Sequence, residues 1–152
     1  MTLIATPVLQ LEQLSQMNKA AGDSLRLGIL QLLGQGAFGV LELSQIFEVK
    51  QSGMSHHLKV LAQAGLVSTQ REGNSIFYRR PLLAATDELS SWLKALFQTI
   101  DEAEIGYNQE AVEQVMQERA QACADFFARH AHEFKEQQDL IASYEQYGSA
   151  LS

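Results

Sequence analysis

Hydrophobic residues recur every three or four positions along most of this chain, which predicts a mainly helical protein. The first such stripe runs from Leu9 to Ala20 and stops at Gly22, after which Asp23 is suited to begin a second helix as its N-cap residue. This second helix is rich in leucine and ends at Gly34. Because it is apolar on much of its surface, we expect it to lie at the centre of the fold.

The pattern between residues 40 and 80 predicts two short helices followed by a β-hairpin. The helices are expected at Val40–Phe47 and Gln51–Ala64, and Gly65 favours the left-handed conformation that ends a helix. Beyond it, Leu66–Gln70 and Ser75–Arg80 alternate in polarity and are rich in β-branched and aromatic residues, with a turn Glu72-Gly73-Asn74 between them. This order is typical of a winged helix-turn-helix, in which one helix enters the major groove of DNA.

Two further helices are predicted after the hairpin, over Leu82–Ile105 and Gln109–Gln137, with Gly106 as the break between them. The expected fold class is therefore mainly α with a small β-hairpin (α+β), a winged helix-turn-helix with an extra C-terminal helical extension. We expect a DNA-binding and dimerisation domain at residues 1–105 and the helical extension at residues 106–152.

Charge is distributed unevenly along the chain. The net charge is −7, yet residues 50–81 contain five basic residues and one acidic residue, whereas residues 82–152 contain thirteen acidic and four basic residues. A basic segment in an acidic chain indicates one polyanionic partner that binds at one surface. No apolar run approaches the roughly 20 residues that cross a bilayer, and the N-terminus lacks the pattern of a secretory signal, so we expect a cytoplasmic protein without a membrane partner.

A glycine-rich segment, Gly34-Gln35-Gly36-Ala37-Phe38-Gly39, matches the dinucleotide-binding pattern G-x-G-x-x-G. That pattern requires a strand before it and a helix opening from it, whereas here it follows a leucine-rich helix. We interpret the segment as a helix end followed by a loop.

The predicted second helix and hairpin resemble the ArsR/SmtB family of bacterial repressors. The resemblance rests on SGMSHHLKVLAQAGLV followed by REGNSIFYRR, and the similar region extends from about Leu14 to Ile100. It implies a homodimer formed by the first helix and the helix after the wing, which binds a near-palindromic double-stranded DNA operator and releases it when an effector binds. Apolar positions on the helix after the wing, Trp92 and Phe97 among them, are more numerous than one chain needs, which suits a dimer interface.

Nine residues are predicted to contact DNA. Side chains on the outer face of the second helix are expected to reach base edges, Gln51 being a candidate for adenine or phosphate, and basic side chains are expected to neutralise phosphates. The base-reading candidates are Gln51, Ser52, Ser55 and His56, the phosphate candidates are Lys59, Arg71, Arg79 and Arg80, and Asn74 at the wing tip could approach the minor groove. We expect His57 to face inward in a structural role, and Lys50 to be a weak N-cap for this helix.

Metal and cofactor chemistry is not expected. The stretch Val40–Ser44, where some family members carry a cysteine pair, has no thiol, and no histidine lies between His57 and His130. His130 and His132 point to different faces of a helix, so we interpret them as surface histidines. Cys123 has no second cysteine for a disulfide, and we interpret it as a buried packing residue. We expect no metal, no cofactor and no enzymatic activity.

The C-terminal segment Arg119–Phe134 resembles the lead-in of repressors fused to an S-adenosylmethionine-dependent methyltransferase. This leaves an alternative open, in which the chain is the regulatory N-terminal part of such a fusion, with S-adenosylmethionine or S-adenosylhomocysteine as a speculative effector. A third alternative is a winged helix that binds another protein. The basic segment favours DNA over this third alternative.

Overall fold

The computed structural model describes residues 10–83 and 88–150, and of the side chains at positions 132, 134 and 143–150 nothing is described. The elements of the described chain are α1 Leu11–Ala21, α2 Ser24–Leu32, β1 Phe38–Gly39, α3 Val40–Phe47, α4 Gln51–Gln63, β2 Ser68–Glu72, β3 Ser75–Arg79, α5 Glu88–Glu102 and α6 Gln109–Ala150. This confirms a mainly helical winged helix-turn-helix with a C-terminal helical extension. The predicted helix start at Leu9, and residues 84–87 of the helix predicted from Leu82, lie outside the described residues.

A three-stranded antiparallel sheet forms the wing, with the strand order β1-β3-β2. The last residue pair of the β2–β3 hairpin joins Glu72 to Ser75, so only Gly73 and Asn74 form its turn. Gly73 has φ +62°, a left-handed conformation that glycine adopts without steric cost. The prediction of a three-residue turn that included Glu72 was therefore one residue too long.

Strand β1 was not predicted from the sequence. It has only two residues, of which Phe38 pairs with Tyr78 of β3 and is fully buried. Two residues are too few to produce the alternation by which a strand is recognised. The segment interpreted as a loop thus contains the short strand that attaches the wing to the helical core.

The chain divides into two compact units, Met1–Ala111 and Val112–Ser152. In the first unit α2 lies at the centre, as its apolar surface predicted, because every residue from Gly28 to Leu32 is buried. Large side chains from α1, α3 and α4 complete this core. Those with no exposed surface include Met17, Ile29, Leu30, Leu32, Phe38, Leu43, Met54, Leu58, Leu61 and Leu66.

Helix α2 is joined to the end of α5 by a buried glutamine. The Gln31 amide nitrogen donates to the carbonyl oxygens of Ile100 at 3.0 Å and Glu104 at 3.1 Å, and its amide oxygen accepts from the Gly106 N–H at 2.7 Å. A Cβ added at Gly28 would lie 3.1 Å from the Gly106 carbonyl oxygen. Close backbone approach therefore favours glycine at position 28, and Gln31 gives the backbone at the end of α5 additional hydrogen bonds.

Two left-handed residues set the position of α4. Helix α3 ends at Glu48, which has φ +53° although it is not glycine, and α4 is followed by Gly65 with φ +77°. Beyond Gly65, the Leu66 N–H donates to the Leu61 carbonyl oxygen at 2.9 Å. This hydrogen bond is characteristic of a Schellman helix end, so the predicted role of Gly65 is confirmed.

The second unit consists of most of α6, which extends to Ala150 rather than to the predicted Gln137. Val112 and Val115 are buried, whereas Phe126 and Phe127 are 48% and 58% exposed. Nowhere in the described residues is a helix both long enough and apolar enough to cross a membrane.

Candidate nucleic-acid interface

Helix α4 presents a polar face to solvent. Its buried residues Met54, Leu58 and Leu61 recur at the helical period and lie against the core, so the positions between them point outward. All five predicted contact residues on this helix are exposed, namely Gln51, Ser52, Ser55, His56 and Lys59. The structure therefore brings them together on one accessible surface, which we call the α4 face.

The start of α4 is open. Its N-cap residue, Lys50, makes no side-chain hydrogen bond to the first turn, in agreement with the expected weak cap. The first amide groups of a helix have no intrahelical acceptor and attract anions. The end of α4 that carries Gln51 and Ser52 thus offers backbone donors as well as side chains.

His57 differs from the neighbouring His56 because it faces the interior. It is half-buried, and its Nδ1 lies 3.0 Å from Nη1 of Arg26. A guanidinium can only donate, so Nδ1 of His57 must be the acceptor in this contact. This agrees with the expected structural role of His57.

Arg26 is a residue whose role the sequence did not reveal. Besides His57, its guanidinium bonds the carbonyl oxygen of Ala20 at 2.8 Å, and its backbone N–H donates to the Asp23 carboxylate at 3.0 Å. Asp23 is therefore the N-cap of α2, as predicted. Arg26 connects the end of α1, the start of α2 and the middle of α4, and so fixes the orientation of the α4 face.

The wing supplies two exposed candidates, Arg71 on β2 and Asn74 at the tip. Arg79 is only half-exposed, and its Nε is buried without a hydrogen-bond partner in the described chain. Ser68, its cross-strand neighbour, likewise has a buried hydroxyl oxygen without a partner there. Of the predicted wing contacts, Arg71 and Asn74 are the accessible ones.

Arg80 requires a correction. Its Nε donates to the Leu30 carbonyl oxygen at 2.9 Å, Nη1 donates to the Asp101 carboxylate at 2.9 Å, and the guanidinium lies 4.7 Å from the centre of the Phe97 ring. The side chain is 18% exposed. Because the guanidinium is occupied by α2 and α5, this placement contradicts the predicted phosphate contact.

The same cluster changes the interpretation of two α5 residues. Phe97, expected as a surplus apolar position, is only 6% exposed within its own chain. The hydrogen bonds and charge of Arg80 hold the pKa of the Asp101 carboxyl below its usual range, against the smaller opposing effect of burial. We call Arg80, Asp101 and Phe97 the Arg80 cluster.

The remaining histidine candidates give no chelating arrangement. His130 Nδ1 lies 3.1 Å from the Glu133 carboxylate, and the described residues contain no group of three or more histidine, cysteine, aspartate or glutamate side chains that could hold a metal ion. The side chain of His132 lies outside the description. Cys123 is exposed, so the expectation of a buried packing residue was wrong.

The described chain combines helices α2, α3 and α4 with a three-stranded wing, and α4 has an exposed polar face. This arrangement defines a winged helix-turn-helix protein. A family model described as "Helix-turn-helix domain" matches residues 21–70. An arsenical resistance operon repressor of Staphylococcus aureus is 38% identical over 68 residues, which cover 45% of this chain and 65% of that relative. The transcriptional repressor SdpR of Bacillus subtilis is 32% identical over 75 residues, which cover 49% of this chain and 82% of that relative.

A solved structure, the homodimeric winged helix-turn-helix DNA-binding domain of a possible ArsR-family regulator from Mycobacterium bovis, is 29% identical with a TM-score of 0.49 and covers 60% of this chain and 82% of that chain. The chain belongs to the ArsR family of winged-helix transcriptional regulators, as its motifs indicated. It spans just under two thirds of the length of the Staphylococcus aureus repressor.

Proposed function

We propose that this protein is a transcriptional repressor that binds a double-stranded DNA operator as a homodimer. The observation that carries the proposal is the α4 face, an exposed polar and basic surface in an otherwise acidic chain. In this proposal Ser52, Ser55 and His56 read base edges, whereas Lys59 and Arg71 contact phosphates. Gln51 reads adenine or phosphate, and Asn74 approaches the minor groove beside the wing.

Support for a dimer comes from apolar side chains that the described residues leave uncovered. Leu11 on α1 is 84% exposed, and Trp92 on α5 is only half-buried. If a second copy covered such side chains, each Å² of apolar surface removed from water would stabilise the dimer by about 25 cal/mol. A two-fold axis would then place two α4 faces about one turn of DNA apart, the spacing at which helix-turn-helix dimers read half-sites. We assign DNA binding and dimerisation to residues 1–105 and regard residues 106–152 as a helical extension.

The division between base reading and phosphate contact can be tested with two variants on one helix. Lys59→Ala should weaken binding to operator and random duplexes alike, because a phosphate contact carries no sequence information. His56→Ala should instead lower the ratio of operator to random affinity. Fluorescence anisotropy on both duplexes measures this, with Lys135→Ala on the exposed surface of α6 as the matched control. Equal losses on both duplexes for both variants would refute the assigned roles.

Two further parts of the proposal concern effectors. We propose that the protein does not respond to metals through the thiol or histidine positions used by some family members, since Val40–Ser44 contains no cysteine and residues 58–129 contain no histidine. Release of DNA by micromolar zinc or arsenite would contradict this. S-adenosylmethionine or S-adenosylhomocysteine as effector stays a prediction, which calorimetric titration of the purified chain would test.

A further inference from the structure

A groove beside the α4 face shares one described lining residue, His56, with the proposed DNA contacts. It has a volume of about 540 Å³ and lies between the end of α1, the start of α2 and the second half of α4. Its polar lining includes the side chains of Gln16, Lys19, Arg26, His56 and Gln63. No carboxylate is among the described residues that line it. We call it the α1–α4 groove.

The chemistry of this lining is that of an anion site. Lys19 and Arg26 carry permanent positive charge at neutral pH, and glutamine amides supply further donors. Lys19 is exposed, and within the described part of the chain its ammonium makes no hydrogen bond or ion pair. An acceptor-rich anion would give Lys19 the partner that it lacks among the described residues.

Arg26 is held in place before any ligand arrives. Its guanidinium donates to the Ala20 carbonyl oxygen at 2.8 Å, to His57 Nδ1 at 3.0 Å and to the Lys19 carbonyl oxygen at 3.3 Å. Arginine has about five N–H donors, so these three contacts leave about two for another acceptor. A guanidinium that is already fixed loses little conformational freedom on binding. This favours hydrogen bonds from its planar N–H groups to phosphate oxygens.

The groove opens next to the surface assigned to DNA. At about 3.6 residues per turn, His56 and Gln63 lie within about 40° of Ser52 around the α4 axis. His56 therefore belongs both to the α4 face and to the groove lining. When α4 reads bases in the major groove, the α1–α4 groove would face the sugar–phosphate backbone that borders those bases.

We propose that the α1–α4 groove binds a phosphate group through Lys19 and Arg26. This rests on the proposed function where the phosphate is one of the DNA backbone, and extends the DNA interface from α4 and the wing to α1. The same chemistry would serve a phosphate carried by a free small molecule. Such a ligand would meet His56 and compete with DNA at that residue.

The first experiment measures DNA affinity against salt concentration. Lys19→Ala should weaken binding to operator and random duplexes, and should reduce the slope of log K against log salt by about 0.9 per protomer. Lys19→Arg should restore both quantities, and Lys135→Ala on α6 should change neither. The side chain of Lys19 is exposed, so thermal melting of Lys19→Ala should match that of the unaltered protein.

The second experiment titrates inorganic phosphate and pyrophosphate into the DNA-free protein and follows the imidazole resonances of His56 by NMR. A saturable shift that Lys19→Ala abolishes identifies a site for a free phosphorylated ligand. A reduced salt slope without this shift assigns the groove to the DNA backbone. An unchanged slope for Lys19→Ala together with no saturable shift overturns the proposal.

The two proposals fail in distinguishable ways. If Lys59→Ala weakens DNA binding, Lys19→Ala leaves the salt slope unchanged and phosphate gives no saturable shift, the repressor function stands and the groove proposal is wrong. If the unaltered protein binds no duplex at low salt, the proposed function is wrong, and the phosphate titration alone decides the groove.

Discussion

Replacing Arg80 by alanine should destabilise the fold without weakening a phosphate contact. The substitution removes a charged hydrogen bond to the Leu30 carbonyl oxygen, contributing about 1.5 kcal/mol, and the ion pair with Asp101, contributing about 0.5 kcal/mol because Asp101 is 49% exposed. It also removes the guanidinium from the Phe97 ring, which contributes about 0.5 kcal/mol. We expect a loss of roughly 2–3 kcal/mol in the free energy of unfolding.

Urea unfolding followed by circular dichroism gives this free energy. All variants should be compared at one protein concentration, since the stability of a dimer depends on concentration. Arg71→Ala on the exposed wing is the matched control, and should change stability by less than about 0.5 kcal/mol. DNA binding should show the opposite pattern. Arg71→Ala should reduce the slope of log K against log salt by about 0.9 per protomer, whereas Arg80→Ala should leave this slope unchanged.

A substitution at Gly34 examines the same contact without removing the charge. A Cβ at this position would lie 2.9 Å from the central carbon of the Arg80 guanidinium, so Gly34→Ala must displace it. We expect a smaller loss than for Arg80→Ala, because the flexible side chain can move. If Arg80→Ala melted like the unaltered protein and lowered the salt slope as Arg71→Ala does, the Arg80 cluster would have no structural role and the original phosphate assignment would return.

Three further predictions concern helix ends and acid stability. Gly65→Ala should cost about 1 kcal/mol of unfolding free energy, because position 65 has φ +77°, and unchanged stability would contradict the Schellman end. Glu48→Gly should stabilise by up to about 1 kcal/mol, since glycine tolerates the left-handed conformation at the end of α3; a destabilised variant in the same urea assay would show that the Glu48 side chain contributes more than its backbone costs. The pKa of Asp101 is lowered in the folded state, so its contribution is present above the unfolded value and is lost as pH falls through the folded value; Asp101→Asn should therefore flatten the decline of stability below about pH 4, and parallel acid profiles would refute this.

Local patterns were sufficient to predict the helices and the α4 face. Met54, Leu58 and Leu61 recur at the helical period, and the exposed positions follow from the same period. Asp23 and Gly65 were recognised because N-caps and helix ends depend on residues close in the chain.

Contacts between distant segments could not be predicted in this way. Arg80 pairs with Asp101 across 21 positions, and Gln31 bonds residues 69 to 75 positions away. An arginine next to a β-hairpin has the same local sequence whether it points to solvent or to the core. Its assignment to phosphate was therefore a reasonable inference from charge that the packing of α5 overturned.

The attachments of α5 have a mechanical consequence. Gln31 connects the C-terminal end of this helix to α2, and Asp101, in the same last turn, holds Arg80, the residue that follows β3. Any ligand or partner that moves α5 along its axis would therefore displace Arg80 at the end of the β-hairpin and the central helix α2 together. Movement of α5 is thereby coupled to the wing and to α2 through two side chains, Asp101 and Gln31.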